Sequence, residues 1–424
     1  MKCIFKNKMD KPKILIAMHY MELGGAEAAL LGLLQSLDSD RADVDVFIYA
    51  HRGELMKYVE DSSEELGVSS EECIHPRFRL LPEIEAYSLL EEPISSVIKK
   101  GYYRLAFARL FGHFEAKRFS RKNQLNLESN AEPTFQQRRT VKCLPKINPG
   151  VEYDLAISFL TPHYIVLDKV RAKKKLGWIH TDYTNVFIHR EMELKMWERL
   201  DVISSISSDV REKFAQVFPS LKDRIIDIEN ILSPRFICER SKEACPAFEN
   251  DHALKLLTIG RYSYQKKMED IPYLCHRLAD AGLDVHWYII GYGNEGYKQQ
   301  LVDAITEEGM KERVILLGKQ SNPYPFIRTC DVYVQPSRYE GKSITVREAQ
   351  ILCKPVIVTA YPTASSQVNG KDGVIVPLER EACAEKMIEV LNDEKLLHAL
   401  VEYLQSHDYG NECEIEKIYE LAQN

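Results

Sequence analysis

Short aliphatic and β-branched runs alternate with longer stretches of helical periodicity along most of this chain, which limits it to folds built on parallel sheets. In such folds each strand is buried on both faces and is followed by a helix that leads to the next strand. The chain is therefore predicted to be an α/β protein. Strands are predicted at 13–18, 44–50, 154–160, 174–180, 201–207, 224–230, 254–260, 285–291, 313–318, 331–336, 355–359 and 373–377.

The length of 424 residues favours two domains, because a single core rarely grows beyond about 250–300 residues. Residues 233–252 carry two prolines and many charges without a clear period, as is typical of a linker. Each domain is predicted to be a Rossmann-like, doubly wound parallel sheet, and the two are expected to face a cleft. The predicted divisions are 1–235 for the first domain with an excursion at about 95–148, 236–252 for the linker, 253–408 for the second domain, and 409–424 for a final helix that packs back on the first domain.

Composition excludes several classes of protein. The chain is 45% hydrophobic and 28% charged, as expected of a globular protein, and its net charge of −7 opposes general nucleic-acid binding. Its ten cysteines include no C-x-x-C pair, so neither a zinc framework nor a disulfide scaffold is predicted. The first apolar run, residues 14–18, is too short for a signal peptide or a membrane span. A cytoplasmic location is expected.

Three short patterns resemble known binding motifs but lack part of them. Residues 291–296 have G-x-G-x-x-G spacing after a predicted strand, but the acidic residue expected about twenty positions later is missing, which favours a simple tight turn. Residues 341–343 read Gly-Lys-Ser, but a P-loop would need glycine in place of Pro336. Asp-Val-Asp at 43–45 belongs to an alternating strand, which favours a solvated strand edge over a metal site.

A basic segment, GRYSYQKK at 260–267, follows the first strand of the second domain. It begins with Gly260 and places Arg261 and Lys266 five positions apart on a loop. Because ligands of open α/β sheets bind beyond the carboxyl ends of the strands, both cations are expected near a ligand. A rigid guanidinium fork and a mobile ammonium suit a diphosphate, whereas the alternative interpretation is a solvated basic turn.

The segment SRYEGKSITVREA, residues 337–349, also follows a predicted strand. Ser343 is predicted to cap a helix that runs to about Cys353, and the unpaired amides of its first turn can bind an anion. Glu340 precedes this helix and Glu348 lies inside it, so the two carboxylates are up to about 12 Å apart along the axis. That separation suits one elongated ligand better than one metal ion. The alternative is that Glu348 is an ordinary glutamate on the helix surface.

These two segments resemble the C-terminal half of the family-4 retaining glycosyltransferases of GT-B fold, with their R-x4-K pair and E-x7-E signature. The resemblance extends over about 254–380 and, more weakly, over 13–50 and 174–231, where GGAEAALLGLL (24–34) and WIHTDY (178–183) carry it. It is closest to the members that make bacterial capsule and cell-wall polysaccharides. The resemblance does not extend to residues 51–150.

The resemblance implies a role for each matching residue. Arg261 and Lys266 would hold and stabilise the departing nucleoside diphosphate, Glu340 would contact the donor sugar, and Glu348 would bind the ribose hydroxyls. His180, which ends a predicted strand, would lie near the reacting centre, although a histidine at a strand end is also a common structural hydrogen-bond donor. The other donor-binding positions implied are Gly24, Gly25, Gly260, Gly341, Lys342, Ser343 and Ile344.

The chain departs from the family pattern at three positions. Lys342 and Ser343 stand where many members have Phe-Gly, and Lys267 stands where glycine is frequent. These differences leave the identity of the donor open and affect the expected reaction less.

The expected function is therefore a metal-independent, retaining transfer of a sugar from a nucleoside diphosphate sugar, preferably a UDP-sugar, to a hydroxyl of a saccharide or lipid-linked acceptor. No cofactor is expected. The leaving phosphate is implied to take the acceptor proton. Two alternatives are a sugar-nucleotide epimerase or hydrolase of the same fold, and a catalytically silent subunit that binds sugar nucleotides.

A basic stretch interrupts the first domain. Between residues 99 and 146 twelve Lys and Arg face three Glu, a local charge of +9. Helical geometry over 97–122 aligns Tyr103, Phe107, Leu110, Phe111 and Phe114 in one stripe flanked by basic residues. Such a stripe suits binding to the anionic surface on the inner face of a membrane, or to a lipid-diphosphate acceptor. The alternative, slightly favoured by the pattern, is a helix whose aromatic face lies in the core.

Overall fold

The computed structural model describes residues 11–64, 77–123, 131–184, 186–245, 248 and 251–424. The chain divides into two compact units. Unit 1 comprises residues 1–231 and 412–424, and unit 2 comprises residues 232–411.

Unit 1 is built on a parallel sheet whose strand order, within the described residues, is β3-β2-β1-β4-β5-β6-β7. Its central strands are apolar runs with almost no exposed surface, as expected of strands covered on both faces. The order reverses between β1 and β4, which makes the carboxyl ends of these strands the switch point where ligands of such sheets bind. The strands are β1 (Lys13–Met18), β2 (Asp43–Ile48), β3 (Arg79–Leu80), β4 (Tyr153–Ser158), β5 (Ala172–Ile179), β6 (Val202–Ser205) and β7 (Ile225–Asp227).

The helices of unit 1 include a basic excursion between β3 and β4. In it α5 packs on α6, because Gly112 lets the backbone of Gln136 approach to within 2.7 Å of where a Cβ would lie. The helices are α1 (Gly25–Gln35), α2 (Met56–Glu64), α3 (Glu85–Ser88), α4 (Ile94–Lys99), α5 (Tyr103–Lys122), α6 (Ala131–Thr140), α7 (Tyr164–Lys169), α8 (Arg190–Trp197) and α9 (Ser208–Val217).

Unit 2 is built on a second parallel sheet, of order β10-β9-β8-β11-β12-β13 among the described residues, and its switch point lies between β8 and β11. Its strands are β8 (Leu254–Ile259), β9 (Val285–Ile290), β10 (Val314–Gly318), β11 (Val332–Gln335), β12 (Val356–Thr359) and β13 (Gly373–Val376). Its helices are α10 (Pro234–Arg240), α11 (Ile271–Asp280), α12 (Glu295–Glu307), α13 (Tyr324–Thr329), α14 (Ile344–Ile351), α15 (Arg380–Asn392) and α16 (Glu394–Gln405). The last helix of the chain, α17 (Ile415–Gln423), belongs to unit 1.

The predicted α/β fold with two parallel sheets is confirmed, and three local features differ from what the sequence pattern indicates. Residues 234–240 of the expected linker form α10, which starts at a serine cap, since the Ser233 hydroxyl accepts from Phe236 N. Residues 379–406, which have one continuous helical pattern in the sequence, form two helices, because the Asp393 side chain caps the second by accepting from Leu396 N. The two-residue strand β3 was not predicted, since so short a run has no period.

Asp45 is a buried structural carboxylate and not a solvated one. It forms an ion pair of 2.7 Å with Arg79 of the neighbouring strand and accepts from the Tyr153 hydroxyl at 2.5 Å. Asp45 therefore holds β2, β3 and β4 together, whereas Asp43 is exposed.

The aromatic stripe of α5 does not face the core. Its buried residues are small or aliphatic, namely Leu105, Ala106, Gly112 and Ala116. The aromatic side chains are exposed, so the core-facing interpretation is wrong. Lys99 and Lys100 are not on this helix, because α4 ends at Lys99 and the chain turns at Gly101, where φ is +81°.

Among the described residues no helix combines the length and apolarity needed to cross a bilayer.

Candidate functional site

Two loops meet at the switch point of unit 2. One follows β8 and contains residues 260–267, and the other follows β11 and contains residues 336–343. The two strands are direct neighbours, with Val332 paired to Leu256. Because parallel neighbours end at the same edge of the sheet, the basic segment and the acidic segment of the sequence are brought together there.

Lys266 and Glu340 form an ion pair across these loops. The Lys266 Nζ atom lies 2.7 Å from Glu340 Oε1, and the side chains are only 16% and 7% exposed. The same Oε1 accepts from the Ser337 hydroxyl at 2.6 Å and from Gln335 Nε2 at 3.2 Å. Among the described residues Oε2 accepts only from Gln265 Nε2, at 3.1 Å. Oε1 thus has three hydrogen-bond donors, whereas Oε2 can accept a further hydrogen bond.

Arg338 fixes the position of the Lys266 loop. Its backbone N–H donates to Gln265 O at 2.8 Å, and its guanidinium donates to Tyr264 O at 2.6 Å and to Glu269 Oε1 at 2.5 Å. It also stacks over the Tyr264 ring at 4.1 Å. Sequence reasoning missed this residue, because its partners lie about seventy positions away along the chain.

Lys267 adopts a left-handed backbone conformation, with φ 52° and ψ 34°. This conformation favours glycine, which accounts for the frequent glycine at this position in the family that the sequence resembles. Here the side chain is held instead by a 2.6 Å ion pair with Asp270 and by donation to Leu378 O at 2.7 Å.

Gly260 and Arg261 are the first two residues of the loop that contains Lys266. Arg261 is exposed and forms no ion pair within the described part of the chain. A Cβ on Gly260 would lie 3.1 Å from Lys266 Cε and 3.2 Å from Met268 Cε, so the absence of a side chain leaves space for the lysine stem. Of the two predicted cations, Lys266 is therefore anchored and Arg261 is available.

The helix that starts after Ser343 presents its first amides at this edge. Ser343 has the predicted N-cap position and an extended backbone, but its hydroxyl makes no capping hydrogen bond. Gln367 holds it instead: Ser343 N donates to Gln367 Oε1 at 2.7 Å, and Gln367 Nε2 donates to Ser343 O at 2.9 Å. The N–H groups of the first turn, residues 344–346, have no partner inside the helix and can bind an anion. Gly341 and Lys342 lie on the loop immediately before.

Glu348 lies one turn further along α14 and is buried, with 3% of its surface exposed. It accepts from the Tyr324 hydroxyl at 3.1 Å. Burial raises the pKa of its carboxyl to about 7. The interpretation as an ordinary surface glutamate is therefore wrong. Burial of an ionisable carboxyl is unfavourable, and a strongly shifted pKa of this kind is typical of functional sites.

A buried network joins the start of α14 to Glu340. The Tyr333 hydroxyl lies 2.7 Å from both Gln335 Oε1 and Thr345 Oγ1. The Gln335 amide in turn donates to Ser337 and Glu340. These neutral residues were not predicted, because they read as part of an ordinary strand end.

Unit 1 carries the remaining predicted residues at the carboxyl edge of its sheet. His180 directly follows β5, contacts the rings of Phe159 and Trp178, and has a pKa lowered by burial to about 4. Gly24 is the extended N-cap of α1 and Gly25 its first residue. A Cβ on Gly24 would lie 2.2 Å from a Glu27 carboxylate oxygen, so this helix start already has a carboxylate beside it.

Most of unit 2 is similar to a known protein family. Residues 242–407 match the family described as glycosyl transferases group 1. The N-acetylgalactosamine-N,N'-diacetylbacillosaminyl-diphospho-undecaprenol 4-alpha-N-acetylgalactosaminyltransferase of Campylobacter jejuni is 24% identical over 221 residues, 51% of this chain and 57% of that protein. The amylovoran biosynthesis glycosyltransferase AmsD of Erwinia amylovora is 25% identical over 169 residues, 38% of this chain and 46% of that protein. The chain thus matches about half the length of these relatives.

The fold of the whole chain also has solved counterparts. The crystal structure of Anabaena Alr3699/HepE in complex with UDP-glucose superposes with a TM-score of 0.61 over 97% of both chains, at 16% identity. At that identity the similarity establishes the fold alone. The chain therefore has the GT-B fold, and its residues 242–407 are similar to the glycosyl transferases group 1.

Proposed function

We propose that this protein is a retaining, metal-independent glycosyltransferase that moves a sugar from a nucleoside diphosphate sugar to an acceptor hydroxyl in cell-surface polysaccharide synthesis. The observation that carries the proposal is the Lys266–Glu340 pair beside the open first turn of α14. It places a cation, helix amides and a partly free carboxylate at the switch point of one sheet.

The diphosphate, the sugar and the ribose of a nucleotide sugar each have a proposed counterpart in unit 2. The diphosphate would bind between Lys266, the available Arg261 and the amides of residues 344–346, which stabilise negative charge as the bond to the sugar breaks. Glu340 Oε2 can accept from a sugar hydroxyl, since only Gln265 uses it among the described residues. The Glu348 carboxylate would accept from the ribose hydroxyls.

The chemistry asks little of the protein beyond this stabilisation and the placement of the acceptor. In a retaining reaction of this kind, the leaving phosphate takes the acceptor proton, so no strong general base is needed. With its pKa lowered to about 4, His180 is neutral near pH 7 and is proposed as a hydrogen-bond partner of substrate instead of a cation. Gly24 and Gly25 are proposed to face the phosphates, in which case the Glu27 side chain has to move away from them.

UDP is the proposed nucleotide, because solved structures of the same fold are described as complexes with UDP and UDP-glucose. A saccharide or lipid-linked acceptor is proposed, since the Campylobacter relative has a diphospho-undecaprenol compound in its name and the Erwinia relative is assigned to amylovoran biosynthesis.

A thermal-shift panel of nucleotides and nucleotide sugars tests the donor assignment. A donor at 100 times its Kd stabilises the native state by about 2.7 kcal/mol, which raises the melting temperature by several degrees. UDP-sugars are expected to give the largest shift. The best donor is then incubated with and without acceptor saccharides. Release of nucleotide and an altered free sugar without acceptor would identify an epimerase or hydrolase instead, and binding without turnover would identify a silent subunit.

A further inference from the structure

One face of α5 exposes a continuous apolar surface. Four aromatic side chains on it are 60–63% exposed and Leu110 is 44% exposed. The opposite face is fixed against α6 by Gly112 and Ala116, so α5 cannot roll to bury its aromatics without losing that contact. The aromatic residues of this exposed face are Tyr103, Phe107, Phe111 and Phe114.

The exposed area is on the scale of a functional patch. Since an aromatic side chain offers roughly 150–250 Å², four rings at 60–63% exposure present on the order of 500 Å² to solvent. The largest apolar patch of a typical soluble monomer is about 300–600 Å² and is often functional. Because the four rings lie between residues 103 and 114 of one helix, this patch is a narrow strip about 17 Å long along the helix axis.

The same face is basic. Within the described residues none of its exposed Lys and Arg forms an ion pair, so their charge is available to an external partner. The acid of this helix, Glu115, lies at the edge of the face and is neutralised by Arg138 and Arg139. These exposed basic residues are Arg104, Lys117, Arg118, Arg121 and Lys122.

We propose that α5 lies flat on the surface of an anionic lipid bilayer, with its aromatic side chains inserted among the acyl chains and its basic side chains at the lipid phosphates. Interfacial helices combine an apolar strip with Lys and Arg in this way and insert by about 5–10 Å. A chain with a net charge of −7 concentrates +9 between residues 99 and 146, which complements a negative surface. A second copy fits less well, since symmetric pairing of this face would bring the two sets of basic side chains together.

Membrane docking goes beyond the proposed transfer reaction and is measured without any sugar nucleotide. A protein that binds vesicles but turns over no donor would contradict the proposed function only. A protein that transfers sugar but ignores vesicles would contradict the docking only.

Co-sedimentation of the full chain with vesicles tests the charge requirement. Binding is expected with about 30 mol% phosphatidylglycerol in phosphatidylcholine at low salt, and little with phosphatidylcholine alone. The variant Arg104→Glu/Arg118→Glu is expected to lose at least about tenfold in partition coefficient. The control Lys311→Glu/Lys395→Glu changes the net charge equally at exposed positions of unit 2 and is expected to bind like wild type.

The aromatic requirement has its own variant and readout. Phe107→Ser/Phe111→Ser is expected to reduce the partition coefficient at least about tenfold. The native Trp178, Trp197 and Trp287 are fully buried, so a tryptophan introduced by Phe107→Trp reports its own surroundings. Its fluorescence is expected to shift to the blue and to be quenched by brominated lipids, whereas that of a tryptophan introduced by His398→Trp is not.

Three outcomes would overturn the proposal. The first is no binding of the wild-type chain to anionic vesicles at low salt. The second is equal binding of wild type and the Phe107→Ser/Phe111→Ser variant, with both keeping their native circular dichroism. The third is a wild-type dimer that ignores vesicles and becomes monomeric in this variant, which would identify a second copy as the occupant of the face.

Discussion

The Lys266 ammonium and the Glu340 carboxylate lie 2.7 Å apart and are both largely buried, so each is the main charge neutralising the other. A phosphate that recruits Lys266 must therefore share it with Glu340. Each residue therefore affects both the stability of the fold and the binding of phosphate. Comparing single and double substitutions measures the two effects separately.

Lys266→Ala is expected to lower the free energy of unfolding by about 2–4 kcal/mol, because it leaves Glu340 buried with neutral donors only. Donor turnover is expected to fall by about 10²–10³, since the cation is lost from the leaving diphosphate. In Lys266→Ala/Glu340→Gln most of the stability returns, as the uncompensated charge is gone, while turnover stays low. Urea unfolding and donor kinetics on the three variants check this. Recovery of turnover in the double variant would show that Lys266 acts only on Glu340.

Arg261→Ala is expected to affect turnover without affecting stability, unlike Lys266→Ala. Because Arg261 is exposed and forms no ion pair within the described residues, its loss should change the free energy of unfolding by less than about 0.5 kcal/mol. Turnover is nevertheless expected to fall by about 10²-fold or more, since a bidentate donor to the phosphates is lost. Arg261→Lys should restore only part of it. Normal turnover of Arg261→Ala with the confirmed donor would identify the loop as a solvated basic turn.

Glu348→Gln tests the buried carboxyl through pH. The folded-state pKa is raised to about 7 from 4.5, so folding is opposed by ionisation above pH 4.5 and the full cost is reached above pH 7. The variant is therefore expected to be more stable than wild type by up to about 3 kcal/mol at pH 8 and equally stable near pH 4. Urea unfolding at both pH values measures the difference.

The same variant is expected to bind UDP more weakly, because the neutral amide accepts poorly from ribose hydroxyls. For wild type, UDP affinity should rise between pH 6 and pH 8 as Glu348 ionises, and the variant should lack this rise. Calorimetric titration at the two pH values gives the comparison. Unchanged UDP affinity together with increased stability would leave Glu348 without a role in the donor site.

Much of this architecture is readable in the sequence because it is local. Buried parallel strands appear as apolar runs, and the loops that follow β8 and β11 carry the charged residues that the topology then brings together. Contacts between distant segments could not be read in this way. Gln367 holds Ser343 from twenty-four positions away, and Arg338 holds Tyr264 from seventy-four. The sequence also left open which face of α5 packs, because small residues such as Gly112, where the α6 backbone approaches closely, decide it.

Lys267 provides a test of the backbone alone. Both Lys267→Ala and Lys267→Gly lose the Asp270 ion pair, but only glycine relieves the strain at φ 52°. The glycine variant is therefore expected to be more stable than the alanine variant by about 1 kcal/mol. At Lys386, inside α15, the order should reverse by a similar amount, because glycine is about 1 kcal/mol worse than alanine in a helix. Thermal or urea unfolding of the four variants decides, and an alanine variant at 267 as stable as the glycine variant would contradict the assigned conformation.

The proposed metal independence rests on a diphosphate that is neutralised by Lys266, Arg261 and the amides that open α14. If these groups suffice, turnover of the confirmed donor should stay within about twofold when EDTA is added, and manganese should add nothing. A metal-dependent enzyme would lose turnover in EDTA and regain it with excess Mn²⁺ or Mg²⁺. The decisive sample is Lys266→Ala, because a divalent ion that substitutes for the missing ammonium would rescue this variant selectively. Loss of wild-type turnover in EDTA would mean that the side chains and amides do not carry the charge alone.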